Sequence, residues 1–108
     1  RARLFRRACA GVPKGLVPAD SGIAPHTRVP VLLLAGGADP QDPPENLGGW
    51  RRAFPNGRLV VAQGIGHGAI EHGCLRLVTA EFVARGTARG LDLACVRRLP
   101  LPPFATGP

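Results

Sequence analysis

Two apolar runs of strand length, each stopped by a glycine-rich turn that carries one chemically active side chain, constrain this chain most. Val29-Pro30-Val31-Leu32-Leu33-Leu34-Ala35 runs into Gly36-Gly37-Ala38-Asp39-Pro40, and Arg58-Leu59-Val60-Val61-Ala62 runs into Gly64-Ile65-Gly66-His67-Gly68. The stretch 29–36 is continuously apolar between proline and glycine, as a strand buried on both faces of a parallel sheet should be. Pro43-Pro44-Glu45 opens a helix expected to reach about Ala53. Proline is tolerated in a first helical turn, and an acidic residue there complements the helix dipole. Pro55-Asn56-Gly57 reads as the turn into the second strand.

Residues 70–85 read as a second helix starting near Glu71 to Cys74. Leu75, Val78 and Phe82 share one apolar face flanked by Leu77 and Val83, and Gly86 stands at the C-terminal cap. Gly90–Phe104 reads as an extended tail ending in prolines. Ahead of the first strand, residues 1–9 read as one or two helical turns with Leu4 and Phe5 inward, and residues 10–28 as a loop.

The order strand, helix, strand, helix makes the class α/β, with two parallel strands joined by a right-handed crossover. The expected organisation is a helix and loop linker over 1–28, an α/β segment over 29–104 and a tail over 105–108. A two-stranded parallel sheet leaves both edges unpaired and much apolar surface uncovered. The sheet is therefore expected to be incomplete. With Arg1 in first place instead of Met, the chain reads as a piece of a longer polypeptide.

At 108 residues the chain holds at most one domain. No apolar run approaches the roughly 20 residues that span a bilayer, and no signal-peptide pattern opens the chain; no membrane partner is expected. The net charge of +7 raises nucleic acid as a partner. The arginines fall in scattered pairs, however (Arg6-Arg7, Arg51-Arg52, Arg97-Arg98), and four Phe, one Trp and no Tyr make no stacking platform. A solvated basic surface is the preferred reading, and no nucleic acid is expected, since its footprint is a clustered basic face.

A carboxylate just past the C-terminal end of a parallel strand sits where open α/β sheets build their sites. Asp39 holds that position, although an Asp-Pro turn can also serve only to bond local backbone amides. His67, between two glycines on the loop after the next strand, presents the usual general base for a hydroxyl nucleophile. Neighbouring strands lie about 5 Å apart, so both loops emerge at one sheet edge and an Asp–His hydrogen bond is feasible. Acid before histidine is the chain order of the last two members of a Ser…Asp…His triad. In such a triad Asp39 holds the imidazole tautomer while the other ring nitrogen takes and returns the serine proton. Ser21, the only serine, lies in Asp20-Ser21-Gly22 ahead of the first strand, without a G-x-S-x-G turn. It reads as a solvated turn residue, which places the nucleophile outside this chain.

Other chemistries fit less well. Gly64–Ala69 matches G-x-G-x-x-A, but a dinucleotide site also needs an acidic residue ending a second strand about 20 residues on, where helix is expected. His67, His72 and Cys74 lie close together without the paired spacing of a zinc site. Neither cofactor nor metal is expected. Of three cysteines, Cys74 and Cys95 can meet when the tail folds back, leaving Cys9 over; three reduced thiols are equally open.

Four stretches in order, VPVLLLAGGADPQDPP (29–44), PNGRLVVAQGIGHG (55–68), the Gly73-Cys74 helix start with Phe82, and LDLACVRRLPLPPF (91–104), carry a family likeness. From about Cys9 to Phe104 the chain resembles the C-terminal segment of secreted tripeptidyl-aminopeptidase-like α/β-hydrolases. The resemblance implies the C-terminal part of an α/β-hydrolase fold, with Asp39 and His67 as acid and base of a serine hydrolase triad. It implies a Cys74–Cys95 disulfide in a secreted or cell-envelope enzyme. The nucleophile elbow and oxyanion hole then belong to the missing N-terminal part of the same fold. Cys9 matches a family cysteine, though Ala10-Gly11-Val12 follows it where a tryptophan often does. Family members release short peptides from free N-termini, and relatives act on esters. The expected function is thus the acid–base portion of an exported aminopeptidase, taking a peptide or small ester substrate in the complete enzyme. The alternatives are another small-substrate hydrolase such as an esterase, and an inactive module acting through association with another chain.

Overall fold

Val31–Gly36 forms strand β1 and Gly57–Ala62 forms strand β2, paired in parallel with Leu34 opposite Val60 and Gly36 opposite Ala62. These features come from a computed structural model that describes the chain except Arg1, Lys14, Ala24, Pro102, Phe104, Ala105, Thr106 and Pro108. Phe104 and most of the expected 105–108 tail therefore lie outside the described residues. The register brings both strands to the same end together, so the loops leaving them start side by side. Among the described residues the sheet has these two strands only, a partial α/β arrangement.

Strand β1 begins at Val31, two residues later than expected. Pro30 has no N–H to offer a ladder, and the Val29 N–H turns back to Thr27 Oγ1 at 3.2 Å. The crossover is not one helix over 43–53. It is a 3₁₀ turn at Pro44–Leu47 followed by the single-turn helix α2 (Trp50–Ala53), after a short helix α1 at Ala2–Ala8. Gly49 between the two pieces takes φ 82°, a left-handed residue that no right-handed helix can run through.

The second helix also starts with a break. Ala69–Glu71 makes a 3₁₀ turn, His72 is extended, and helix α3 runs over Gly73–Arg85. It stops as expected at Gly86, which is left-handed and donates its N–H to Phe82 O at 2.9 Å. Val60, Ala62, Ile65, Ala69, Leu75, Val78, Ala88, Leu91 and Val96 form the core, with Leu32, Leu34 and Phe82 packed against it. One face of the sheet and the Leu75–Val78–Phe82 stripe of α3 thus meet. Leu77 and Val83 do not flank that stripe: they are 69% and 71% exposed, because a 3.6-residue period turns them away from it. Leu4 and Phe5 of α1 likewise point outward, 71% and 67% exposed.

The expected extended tail holds a fourth helix, α4 (Ala94–Arg97). Burial of Leu91 and Val96 pulls this segment back onto α3, and Asp92 Oδ1 accepts from the Ala94 N–H at 2.8 Å. Two fastenings hold it there. At the C-terminal end of α3, Arg85 pairs with Glu81 at 2.6 Å and donates to Gly90 O at 2.9 Å and Arg89 O at 3.2 Å. At the N-terminal end, Cys74 and Cys95 form a disulfide.

Candidate active site

The two loops that leave the sheet are bonded to each other before either presents its side chain. The Gly37 N–H donates to Ala62 O at 2.8 Å and the Ala38 N–H to Ile65 O at 3.0 Å. This approach requires glycine at 36, since a Cβ there would stand 2.2 Å from Gly66 O and 2.4 Å from Ile65 O. Gly68 then turns the chain away at φ 77°.

Asp39 is buried, 8% exposed, and both oxygens of its carboxylate are hydrogen-bonded. Oδ1 accepts from the backbone N–H groups of Gln41 at 2.8 Å and Asp42 at 3.1 Å, and Oδ2 lies 2.9 Å from His67 Nδ1. One oxygen therefore does the local turn-bonding that an Asp-Pro pair often does, and the other reaches across to the next loop. Burial pushes the Asp39 pKa up, but the two backbone donors and His67 outweigh it and hold it below 3.8. The ionised carboxylate can only accept, so Nδ1 carries the ring proton and Nε2 is the basic nitrogen.

His67 is the exposed partner, its side chain 58% accessible. Its pKa is raised above 6.5, chiefly by the hydrogen bond to Asp39, then by the charge of Asp39, with a further push from Asp42 against the effect of burial. Among the described residues Nε2 has no hydrogen-bond partner. The pair opens onto a cavity of about 390 Å³ walled by Leu32, Leu34 and Ile70, with Asp42 at its edge. Chemically, this is an oriented imidazole with its free nitrogen available to take a proton and its positive charge compensated from behind.

Of the other residues singled out from the sequence, Cys74 and Cys95 are joined, and Cys9 is a free, exposed thiol. Ser21 sits in an exposed turn, its N–H bonded to Pro18 O at 3.1 Å, and does not line the cavity. His67, His72 and Cys74 do not assemble as ligands, because the Cys74 sulfur is spent in the disulfide. Sequence reasoning does not single out Asp42 or the Leu32–Leu34–Ile70 wall, and it reads Gly36 only as part of a sharp turn, not as a point of close approach between the loops. The spacing Asp39-Pro40-Gln41-Asp42 is the signal for Asp42, since a turn closed on the first Asp presents the second beside it.

A family model described as TAP-like protein, one of the α/β-hydrolase models, matches residues 2–95. No curated protein and no solved structure matches the chain. Two parallel strands with helices, and a family model covering most of the sequence, agree: this chain belongs to the TAP-like family of α/β-hydrolases.

Proposed function

We propose that the chain is the acid–base portion of a serine hydrolase, with Asp39 as the acid and His67 as the general base of a triad whose serine lies on a segment outside it. The observation that carries this reading is the Asp39–His67 contact of 2.9 Å at the mouth of a cavity. His67 Nε2 takes the proton of the serine hydroxyl as oxygen attacks the substrate carbonyl, and returns it to the leaving group. Asp39 stabilises the imidazolium formed in between and is not itself protonated.

Within that class, the substrate we propose is a peptide with a free N-terminus, cleaved by an exported aminopeptidase. Its support is the likeness of the four sequence stretches, together with a disulfide of the kind that persists in oxidising compartments. An esterase uses the same acid–base pair and is separated from it only by substrate. A second reading, a module that acts by association alone, is favoured by the two-stranded sheet and by the exposed Leu77 and Val83.

The test is substitution in the complete hydrolase. Asp39→Asn is expected to lower kcat about 10⁴-fold by fixing the wrong tautomer, and His67→Ala at least as much, with circular dichroism unchanged. Full activity in both variants would sink the proposal.

A further inference from the structure

The His67 loop is held differently at its two ends. Its upstream end is bonded to the Asp39 loop through Gly37 N–H to Ala62 O and Ala38 N–H to Ile65 O. Among the described residues its downstream end has no such ladder. It runs through the 3₁₀ turn at Ala69–Glu71 and extended His72 into α3. There the fixing comes from burial of Ala69 and Leu75, and from Cys74, the second residue of α3. The partner of Cys74 is Cys95 on α4, a helix of four residues whose one buried side chain is Val96. Both cysteines are half-buried.

From this asymmetry we infer that the Cys74–Cys95 disulfide is the anchor that positions the catalytic histidine: intact, it fixes the downstream end of the His67 loop, and opened by a reductant in vitro, it lets His67 leave Asp39. The inference rests on the acid–base reading of that pair. A dithiol is the reductant. Its two sulfurs join as a disulfide, while Cys74 and Cys95 each gain one electron and one proton. The polar fastening of Glu81 and Arg85 on Gly90, Arg89 and Asp92 remains, so the tail stays attached at the far end of α3. Loosening is thereby confined to the end of α3 nearest His67. Cys74 and Cys95 are positioning residues, since neither lines the cavity.

The experiment follows the His67 ring proton on Nδ1 by NMR in the full 108-residue chain, together with amide exchange, before and after addition of a dithiol. Cys9→Ser is made in the same chain so that its exposed thiol cannot exchange with the bridge. The expected result is a hydrogen-bonded Nδ1 proton in the oxidised chain that is lost on reduction. Exchange at the Arg76 amide should rise about tenfold or more relative to the β1–β2 ladder amides, because local opening near Cys74 adds to any loss of global stability that both share. The β1–β2 ladder amides should stay protected. The double variant Cys74→Ala with Cys95→Ala should reproduce the reduced spectrum without reductant.

A ring proton that survives both reduction and the double variant overturns the inference. So does loss of ladder protection along with it, which would make the bridge a staple of the whole fold. A ring proton missing already in the oxidised chain overturns the acid–base reading as well. The two failures are therefore distinguishable.

Discussion

Gly36→Ala is the substitution that most directly tests how the site is assembled. It adds a single methyl group, in a strand where alanine is otherwise acceptable. That methyl would meet two backbone carbonyl oxygens, Gly66 O at 2.2 Å and Ile65 O at 2.4 Å, and the Gly66 carbonyl carbon at 2.9 Å. Real Cβ atoms essentially never come nearer than 3.0 Å, so the loops must part by about 0.8 Å to admit it. No flexible side chain can yield instead. The obstacle is the backbone next to His67, already tied to the Asp39 loop through Ala38 N–H and Ile65 O at 3.0 Å. Overpacking costs about 1–3 kcal/mol in general, and two clashing carbonyls place this case at the upper end. A displacement near 1 Å at a catalytic group can cost about 10²-fold in rate, and it stretches the His67–Asp39 bond. Urea denaturation of the chain and an NMR titration of His67 read both effects. The expected outcome is a loss of about 2–3 kcal/mol and a His67 pKa drawn back toward 6.5. Stability within about 0.5 kcal/mol of the parent, with the His67 titration unmoved, would refute the claim that a glycine-only contact sets the pair. Gly73→Ala is the control. It places the same methyl in α3, with nothing within 4 Å, and should stabilise by up to about 1 kcal/mol.

Further expectations concern the core and the titration of the pair. Leu75→Ala empties the one large side chain that is fully buried among the described residues and should cost about 2–5 kcal/mol, read as a lower urea midpoint with unchanged slope. In the complete hydrolase, kcat/KM should rise with pH through a midpoint above 6.5, because His67 must be neutral to accept a proton and Asp39 raises its pKa. A midpoint below 6.5 would contradict that. Relative to His67→Ala, the parent chain should have its full stability advantage below pH 6.5 and lose it as pH rises through the raised folded value. At the acid end the Asp39 contribution, present above pH 3.8, should fade as pH falls through its lowered folded value. Denaturation midpoints across that range check both limbs.

The pairing of Asp39 with His67 was legible because each directly follows an apolar run that ends in glycine. Parallel pairing of those runs leaves the two turns nowhere to go but together. The broken crossover was less legible. Pro43, Pro44 and Glu45 signal a helix start strongly, whereas the Gly48-Gly49 interruption becomes decisive only once Gly49 is seen at φ 82°. Helix α4 was hidden by the prolines after it. Leu91 and Val96 have no local period to announce them, and their burial depends on a surface that α3 supplies. The outward positions of Leu77 and Val83 follow from the helical period, but an abundance of apolar residues on α3 obscures which arc is the buried one. The closeness demanded of Gly36 is a tertiary fact between two loops, invisible in either loop's sequence.

The central claim is that Asp39 and His67 serve a serine carried outside this chain. Its most direct test is a fluorophosphonate probe applied to the native source, followed by intact mass and peptide mapping of the labelled protein. The expected result is a longer labelled polypeptide that contains the peptides around Asp39 and His67, with the label on a serine upstream of both. An unlabelled species of this chain's own length would contradict it.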